Sequence, residues 1–167
     1  IINFAKGVTS GAAPMGGSIV SNKIYDAFMD NSGAVHNIEL FHGHTYSAHP
    51  IACAAAMAAL DIYRDEGLFE HALKMEKVLE DAVHSLKGAP LVADIRNAGF
   101  AAGVEIVADP KAPGRRGLDA MRRAFHEHDM VIRVGGDTIA LSPPLIATES
   151  DISKIIDGVR GVLSKLS

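Results

Sequence analysis

Two stretches in the second half of the chain repeat apolar residues at helical spacing. Between Leu68 and Lys87 the apolar residues form one stripe opposite charged residues, and Gly88 and Pro90 follow, as is usual where a helix ends. The last stretch starts after Thr148, where Thr-Glu-Ser-Asp predicts a capping box. Its expected buried stripe comprises Ile152, Ile155, Ile156, Val159, Val162, Leu163 and Leu166.

Two pairs of short apolar segments lie between these helices and predict β-hairpins around glycine-containing turns. The loop between the hairpins leads into a third helix, which we expect to direct Leu118, Met121 and Phe125 inward. The segments expected to pair are 91–96 with 100–107, and 130–134 with 138–141. Residues 68–167 therefore predict an α+β unit of order α-β-β-α-β-β-α.

The first 67 residues have a different pattern. An apolar segment before Lys6 and the segment 16–21 predict strands, and Asn22–Asp30 predicts a helix. The helix expected over 51–65 is apolar almost all round, so burial on most of its faces is expected. Residues 1–67 therefore predict the end of a preceding α/β domain, and the chain is expected to be the carboxyl-terminal part of a longer protein.

Composition and charge narrow the function classes. A net charge of −4, 5% aromatic residues and no basic tract argue against nucleic-acid binding. The longest apolar run, near 51–60, is too short for a membrane span. One cysteine excludes an internal disulfide and suits a reducing compartment, so a cytoplasmic location is expected.

Lys6 is the first candidate for chemistry. It ends an apolar segment and is followed by a loop of small residues. We expect an amine at such a strand end to be partly shielded from water, which disfavours the ammonium form and suits a Schiff-base lysine. The alternative is a strand-end lysine whose amine reaches solvent.

A histidine-rich segment and an arginine supply further candidates. Thr45, Tyr46 and Ser47 precede a helix start at Pro50, where hydroxyls and amides can receive a phosphate. The three nearby histidines raise the alternative of zinc, but segment 41–50 has no Asp, Glu or Cys, so no metal is expected. Arg133 could bind a carboxylate with both guanidinium nitrogens, or could be an ordinary surface arginine.

Three segments together resemble class III, fold type I, pyridoxal-phosphate-dependent aminotransferases. The resemblance is closest to the omega-amino acid:pyruvate (beta-alanine–pyruvate) transaminase type and covers the whole chain. The segments that carry it are Phe4-Ala5-Lys6-Gly7-Val8-Thr9-Ser10-Gly11 with Pro14, His42-Gly43-His44-Thr45-Tyr46-Ser47-Ala48-His49-Pro50, and Arg133-Val134-Gly135-Gly136-Asp137-Thr138.

The resemblance implies a role for each candidate. Lys6 corresponds to the lysine that forms the Schiff base with pyridoxal 5′-phosphate, and Thr45 to the threonine that reaches the cofactor phosphate of the neighbouring subunit. Arg133 corresponds to the mobile arginine that binds the substrate α-carboxylate. The implied substrates are an amine donor and pyruvate. The implied assembly is a homodimer with a site shared between subunits.

The resemblance also implies a domain assignment. Residues 1–67 correspond to the end of the large cofactor-binding domain, and 68–167 to a small carboxyl-terminal α+β domain. The aspartate that pairs with the pyridine nitrogen, the phosphate-binding Gly-Ser pair and the stacking aromatic residue belong to upstream segments. We therefore expect residues 1–167 alone to be inactive.

Other functions stay open at this point. An aminomutase or a dialkylglycine decarboxylase would use the same cofactor family, and a non-catalytic binding or oligomerisation module is the alternative outside it. The sequence leaves the amine donor undetermined.

Overall fold

The protein is an α/β chain. A computed structural model describes residues 1–30 and 43–167. The chain forms two compact units, Ile1–Gly67 and Leu68–Ser167.

The first unit has a two-stranded antiparallel sheet. Strand β1 (Ile2–Ala5) pairs with β2 (Gly16–Ile19), and a short 3-10 turn over Lys6–Thr9, here the Lys6 turn, follows β1 directly. Helix α1 (Asn22–Asp30) comes next, and α2 (Pro50–Asp65) begins one residue before the predicted 51–65, at the proline expected to suit its first turn. These elements agree closely with the sequence-based prediction.

Pairing of Phe4 with Gly17 fixes the register of the β1–β2 hairpin. The Phe4 ring lies so close over Gly17 that a Cβ atom there would approach the ring Cζ to 2.5 Å. Glycine at this position therefore allows the aromatic ring to cover the neighbouring strand.

The expectation that α2 is buried on most faces is wrong for this chain. Only its alanine face is buried, at Ala52, Ala56 and Ala59. The large apolar side chains on its other faces are between 48% and 70% exposed: Ile51, Met57, Leu60 and Ile62. The helix packs on the Lys6 turn through small side chains, and the described part of the first unit has no further element across its other faces.

The second unit contains one four-stranded antiparallel sheet and three helices. The sheet order is β3-β4-β6-β5, so the two hairpins lie side by side with β4 and β6 in the centre. The bounds are α3 (Leu68–His84), β3 (Val92–Asn97), β4 (Ala102–Ile106), α4 (Arg115–His128), β5 (Arg133–Gly135), β6 (Thr138–Leu141) and α5 (Glu149–Leu163). This element order is the predicted one.

The core of the second unit lies among the three helices and the central strands. Helix α5 begins with the predicted capping box between Thr148 and Asp151. Most of its predicted stripe is buried. Fully buried side chains from different elements meet in this core: Leu79, Val83, Val104, Ile106, Ile139, Ile152, Val159, Val162 and Leu163.

The predicted inward face of α4 is wrong at two of its three positions. Leu118 and Phe125 are exposed, whereas Met121 is half-buried and packs against the core. The buried positions are Gly117, Ala120 and Ala124. The reason is close approach, because a Cβ atom on Gly117 would collide with the carbonyl oxygen of Gly136. Helix α4 therefore contacts its neighbours through small residues, a face that a search for large apolar residues overlooks.

No helix in the described ranges 1–30 and 43–167 is both long and apolar enough to cross a membrane.

Candidate active site

Lys6 is the first residue after β1 and opens the Lys6 turn. Its side chain is exposed, so the predicted partial shielding is not provided by the described residues. No hydrogen bond or ion pair joins its amine to another residue in 1–30 or 43–167. The Lys6 backbone has a φ of 56°, in the left-handed region that L-residues seldom occupy. The chain therefore presents an accessible amine on an unusual backbone.

Hydrogen bonds from several positions hold the Lys6 turn. Tyr63 Oη donates to the Gly7 carbonyl oxygen at 2.5 Å, and the Ser10 amide donates to the same oxygen at 3.0 Å. The buried Thr9 hydroxyl donates to the Ala13 carbonyl oxygen at 2.6 Å. No local sequence pattern indicates the Tyr63 contact, since the two partners lie 56 residues apart.

Thr45 lies in an exposed turn over 45–48, ahead of α2. The turn is closed by the Ser47 amide, which donates to the His44 carbonyl oxygen at 2.9 Å, and by the His44 amide, which donates to Ser47 Oγ at 3.0 Å. His49 precedes Pro50 without a side-chain capping bond. The Thr45 hydroxyl and the amino-terminal end of α2 therefore both lie where they can meet an anion.

A cavity of about 590 Å³ lies between the loop after the Lys6 turn and the start of α2. Its lining includes Ala12, Pro14, Tyr46, His49 and Ala52. The Tyr46 and His49 rings lie 6.0 Å apart, centre to centre. The cavity joins two of the segments that carry chemistry in the sequence, although the side chains of Lys6 and Thr45 do not line it.

His42, one of the three histidines weighed as metal ligands, lies outside the described residues. Within residues 1–30 and 43–167, no group of three or more His, Cys, Asp or Glu side chains is arranged to hold a metal ion.

Arg133 is the first residue of β5, one of the two edge strands of the four-stranded sheet, where it pairs with Ala140. Its side chain is exposed and borders a largely apolar cavity of about 410 Å³ that Ser142 and Pro143 also line. Within the described part of the chain its guanidinium has no ion pair and no hydrogen bond. A carboxylate ligand would therefore not have to displace an internal partner.

Asp137 lies in the β5–β6 turn and in a segment that carries the family resemblance, but the sequence assigns it no role of its own. Its carboxylate accepts hydrogen bonds from the amides of Gly114 and Gly117, at 2.6 and 2.9 Å. These amides lie at the start of α4, so Asp137 caps that helix from the β5–β6 turn. The carboxylate thereby fixes the hairpin that begins with Arg133.

The donor set fits part of pyridoxal phosphate. An exposed primary amine at Lys6 matches the cofactor aldehyde, and a hydroxyl beside a helix start at Thr45 matches its phosphate. Arg133 matches a substrate carboxylate rather than the cofactor. The described residues therefore include one amine and one hydroxyl of the kinds that this cofactor could use.

Comparisons with known proteins agree with this chemistry. The model of the aminotransferase class-III family matches residues 1–163. The omega-aminotransferase of Caulobacter vibrioides is 48% identical over 166 residues, which are 99% of this chain and 37% of that protein. The beta-alanine–pyruvate aminotransferase of Pseudomonas aeruginosa is 38% identical and covers 100% of this chain and 37% of its own length.

A solved structure gives the same result for the fold. A thermostable omega transaminase 6-fold mutant from Pseudomonas jessenii has a TM-score of 0.89 and 32% identity, over 99% of this chain and 37% of that one. The chain thus spans a little over a third of the relatives it matches. The match over residues 1–163 shows that the chain belongs to the class III aminotransferases, a family that depends on pyridoxal 5′-phosphate.

Proposed function

We propose that this chain is the carboxyl-terminal part of an aminotransferase that moves an amino group from an omega-amino acid or amine to pyruvate and forms alanine. The observation that carries the proposal is the accessible amine of Lys6, whose own backbone has a left-handed φ, in a chain matched by the class III family. The names of the most similar relatives support the omega-amino acid donor and the pyruvate acceptor. The share of those relatives that the chain spans supports its place in a longer protein.

Lys6 has two roles in this proposal. Its Nζ would be the covalent attachment point for the cofactor aldehyde and would be released when an amine donor binds. Once released, Nζ would act as the base that takes the proton from the substrate carbon bearing the amino group, and would give that proton up again to complete the transfer. Pyridoxal phosphate, when bound, supplies the electron sink for that proton removal. Because Lys6 is exposed in this chain, its shielding from water has to come from other parts of the full-length protein and from its ligands.

Thr45 is proposed to donate its hydroxyl to the cofactor phosphate held by a second copy of the protein. Its exposure within the 45–48 turn supports this role, because a side chain that serves a partner subunit has to reach out from its own fold. The start of α2 at Pro50 adds the favourable end of a helix dipole to the same region. A homodimer follows from this role and, like the cytoplasmic location, stays a prediction.

Arg133 is proposed to bind the α-carboxylate of pyruvate and of alanine. A guanidinium forms two parallel hydrogen bonds with a carboxylate, which gives both affinity and orientation. The unpaired guanidinium on an edge strand, beside an apolar cavity, supports the proposal. The absence of an internal partner in the described chain also leaves the side chain able to swing aside for amines without a carboxylate.

The two compact units are proposed to be parts of the two family domains. Residues 1–67 would close the large cofactor-binding domain, and 68–167 would form the small domain that carries Arg133. Since the upstream groups that bind the phosphate and the ring nitrogen belong to other segments, the 167-residue chain is expected to be inactive by itself.

The proposal is tested with the full-length protein supplied with pyridoxal phosphate. Alanine formation from pyruvate is measured with beta-alanine, 4-aminobutyrate, taurine and 1-phenylethylamine as donors, with Lys6→Ala as the inactive control. Alanine that depends on Lys6, with at least one of these donors, supports the proposal. Release of CO2 from the amine donor together with alanine would indicate a decarboxylase instead, and no cofactor-dependent alanine with any donor would indicate a non-catalytic module.

A further inference from the structure

We infer that Tyr63 is a positioning residue for Lys6. The inference rests on the proposed function of Lys6 and adds a residue that no motif contains. Tyr63 lies near the end of α2 and contacts the chain one residue after Lys6. It therefore acts on the direction of the reactive amine through the backbone, without touching substrate or cofactor.

The contact is short and specific. Tyr63 Oη donates to the Gly7 carbonyl oxygen at 2.5 Å, and this oxygen also accepts the Ser10 amide at 3.0 Å. One acceptor therefore joins the end of the Lys6 turn to a residue on α2. An added Cβ on Gly7 would lie only 3.7 Å from Tyr63 Oη, so the hydroxyl also covers the open side of Gly7.

The turn needs such a support because its backbone is unfavourable. Lys6 and Ser10, on the two sides of Gly7, both have left-handed φ angles, 56° and 50°. L-residues stay in this region only where surrounding contacts fix them there. The described contacts that do so include the two bonds to the Gly7 oxygen and the bond from the Gly11 amide to the Lys6 carbonyl oxygen at 3.3 Å. Of these three bonds, only the one from Tyr63 comes from another element of the fold; the other two come from residues just after the turn.

Loss of the Tyr63 hydroxyl should therefore loosen the direction of the Lys6 side chain while the fold persists. A misdirected Nζ affects the proton transfer more than the binding of the amine donor. Because the change removes a single hydrogen bond, we expect kcat to fall about threefold to tenfold. KM for the amine donor should stay within about twofold of the wild-type value. The visible circular dichroism of the bound cofactor should also fall, because that signal depends on a fixed orientation.

The test uses Tyr63→Phe and the matched control Tyr25→Phe in the full-length enzyme loaded with pyridoxal phosphate. Tyr25 lies on α1 of the same unit and is 46% exposed. Steady-state kinetics and visible circular dichroism per bound cofactor are measured for both variants and for the wild type. We expect Tyr63→Phe alone to lower kcat and the dichroic signal. Tyr63→His, with the same readouts, serves if Tyr63→Phe does not fold.

Two failures can be told apart. If Tyr63→Phe and Tyr25→Phe have equal kcat and equal dichroism, Tyr63 is only structural and the inference is wrong, whatever happens to the melting temperature. If the wild type and Lys6→Ala bind the cofactor with the same visible signal, the proposed role of Lys6 is wrong, and the inference falls with it.

Discussion

Asp137 Oδ1 accepts a hydrogen bond from the Gly117 amide at 2.9 Å, and this contact joins the β5–β6 turn to the start of α4. The second carboxylate oxygen accepts the Gly114 amide at 2.6 Å. Because Gly117 has no side chain, the Gly136 carbonyl can pass directly over it. The strand that begins with Arg133 is therefore attached to a helix through one carboxylate.

Replacement of Asp137 by alanine should destabilise the chain. The change leaves two helix-start amides without their acceptor and removes a favourable charge from the positive end of α4. We expect the free energy of unfolding to fall by about 1–3 kcal/mol, as measured by urea denaturation. The matched control is Asp157→Ala, an exposed carboxylate on α5. Equal stabilities of the two variants would show that the cap contributes nothing.

Replacement of Arg133 by alanine in the full-length enzyme should impair the reaction of substrates that carry an α-carboxylate and spare those that lack one. Loss of two charge-assisted hydrogen bonds should raise KM for pyruvate about tenfold to hundredfold. An amine donor without an α-carboxylate should keep its half-reaction rate within about twofold, since it makes no such contact.

The matched control for Arg133 is Arg122→Ala, another exposed arginine of the same unit, on α4. Steady-state kinetics with pyruvate and single-turnover rates with 1-phenylethylamine measure the two effects. If Arg133→Ala impaired the reactions of pyruvate and of 1-phenylethylamine equally, the proposed role of Arg133 would be contradicted. The same conclusion would follow if Arg122→Ala raised KM for pyruvate as much as Arg133→Ala does.

The capping box of α5 predicts a pH dependence of stability. The Thr148 amide and then its hydroxyl hydrogen-bond to the Asp151 carboxylate and hold its pKa below the ordinary value of 3.8. A lowered folded-state pKa stabilises the fold above the unfolded pKa, and this stabilisation is lost as pH falls through the folded value. Asp151→Asn should therefore melt below the wild type at neutral pH, with a gap that closes below about pH 4.

Glu149→Gln is the control for this prediction, because Glu149 lies in the same first turn of α5 without a part in the capping box. Melting temperatures of both variants and the wild type are compared from neutral to acidic pH. A gap between Asp151→Asn and the wild type that stays constant over this range would be inconsistent with the lowered pKa.

Local patterns predicted most elements of the second unit. Pairs of short apolar segments around glycine-containing turns indicated both hairpins, and Thr148 marked the start of α5. Most of the buried face of α4 was mispredicted because it consists of the small residues Gly117, Ala120 and Ala124. Small residues allow close packing, but the spacing of large apolar residues does not reveal them.

Those local patterns do not predict tertiary contacts. The Tyr63–Gly7 bond joins positions far apart in sequence, and no local spacing indicates it. The exposure of Lys6 also departs from the predicted shielding, because an apolar strand before a lysine does not specify what covers its amine. The motifs indicate which residues could carry chemistry, whereas the folded chain shows what surrounds them.

The most direct test is to trap the cofactor on its lysine. The full-length protein is incubated with pyridoxal 5′-phosphate, reduced with borohydride and mapped by peptide mass spectrometry, beside Lys6→Ala and the matched control Lys23→Ala, an exposed lysine on α1. We predict a pyridoxyl adduct on Lys6 in the wild type and in Lys23→Ala. In Lys6→Ala we predict no adduct on that peptide and no compensating adduct on another lysine. Equal labelling of all three proteins, or an adduct confined to another lysine, would contradict it.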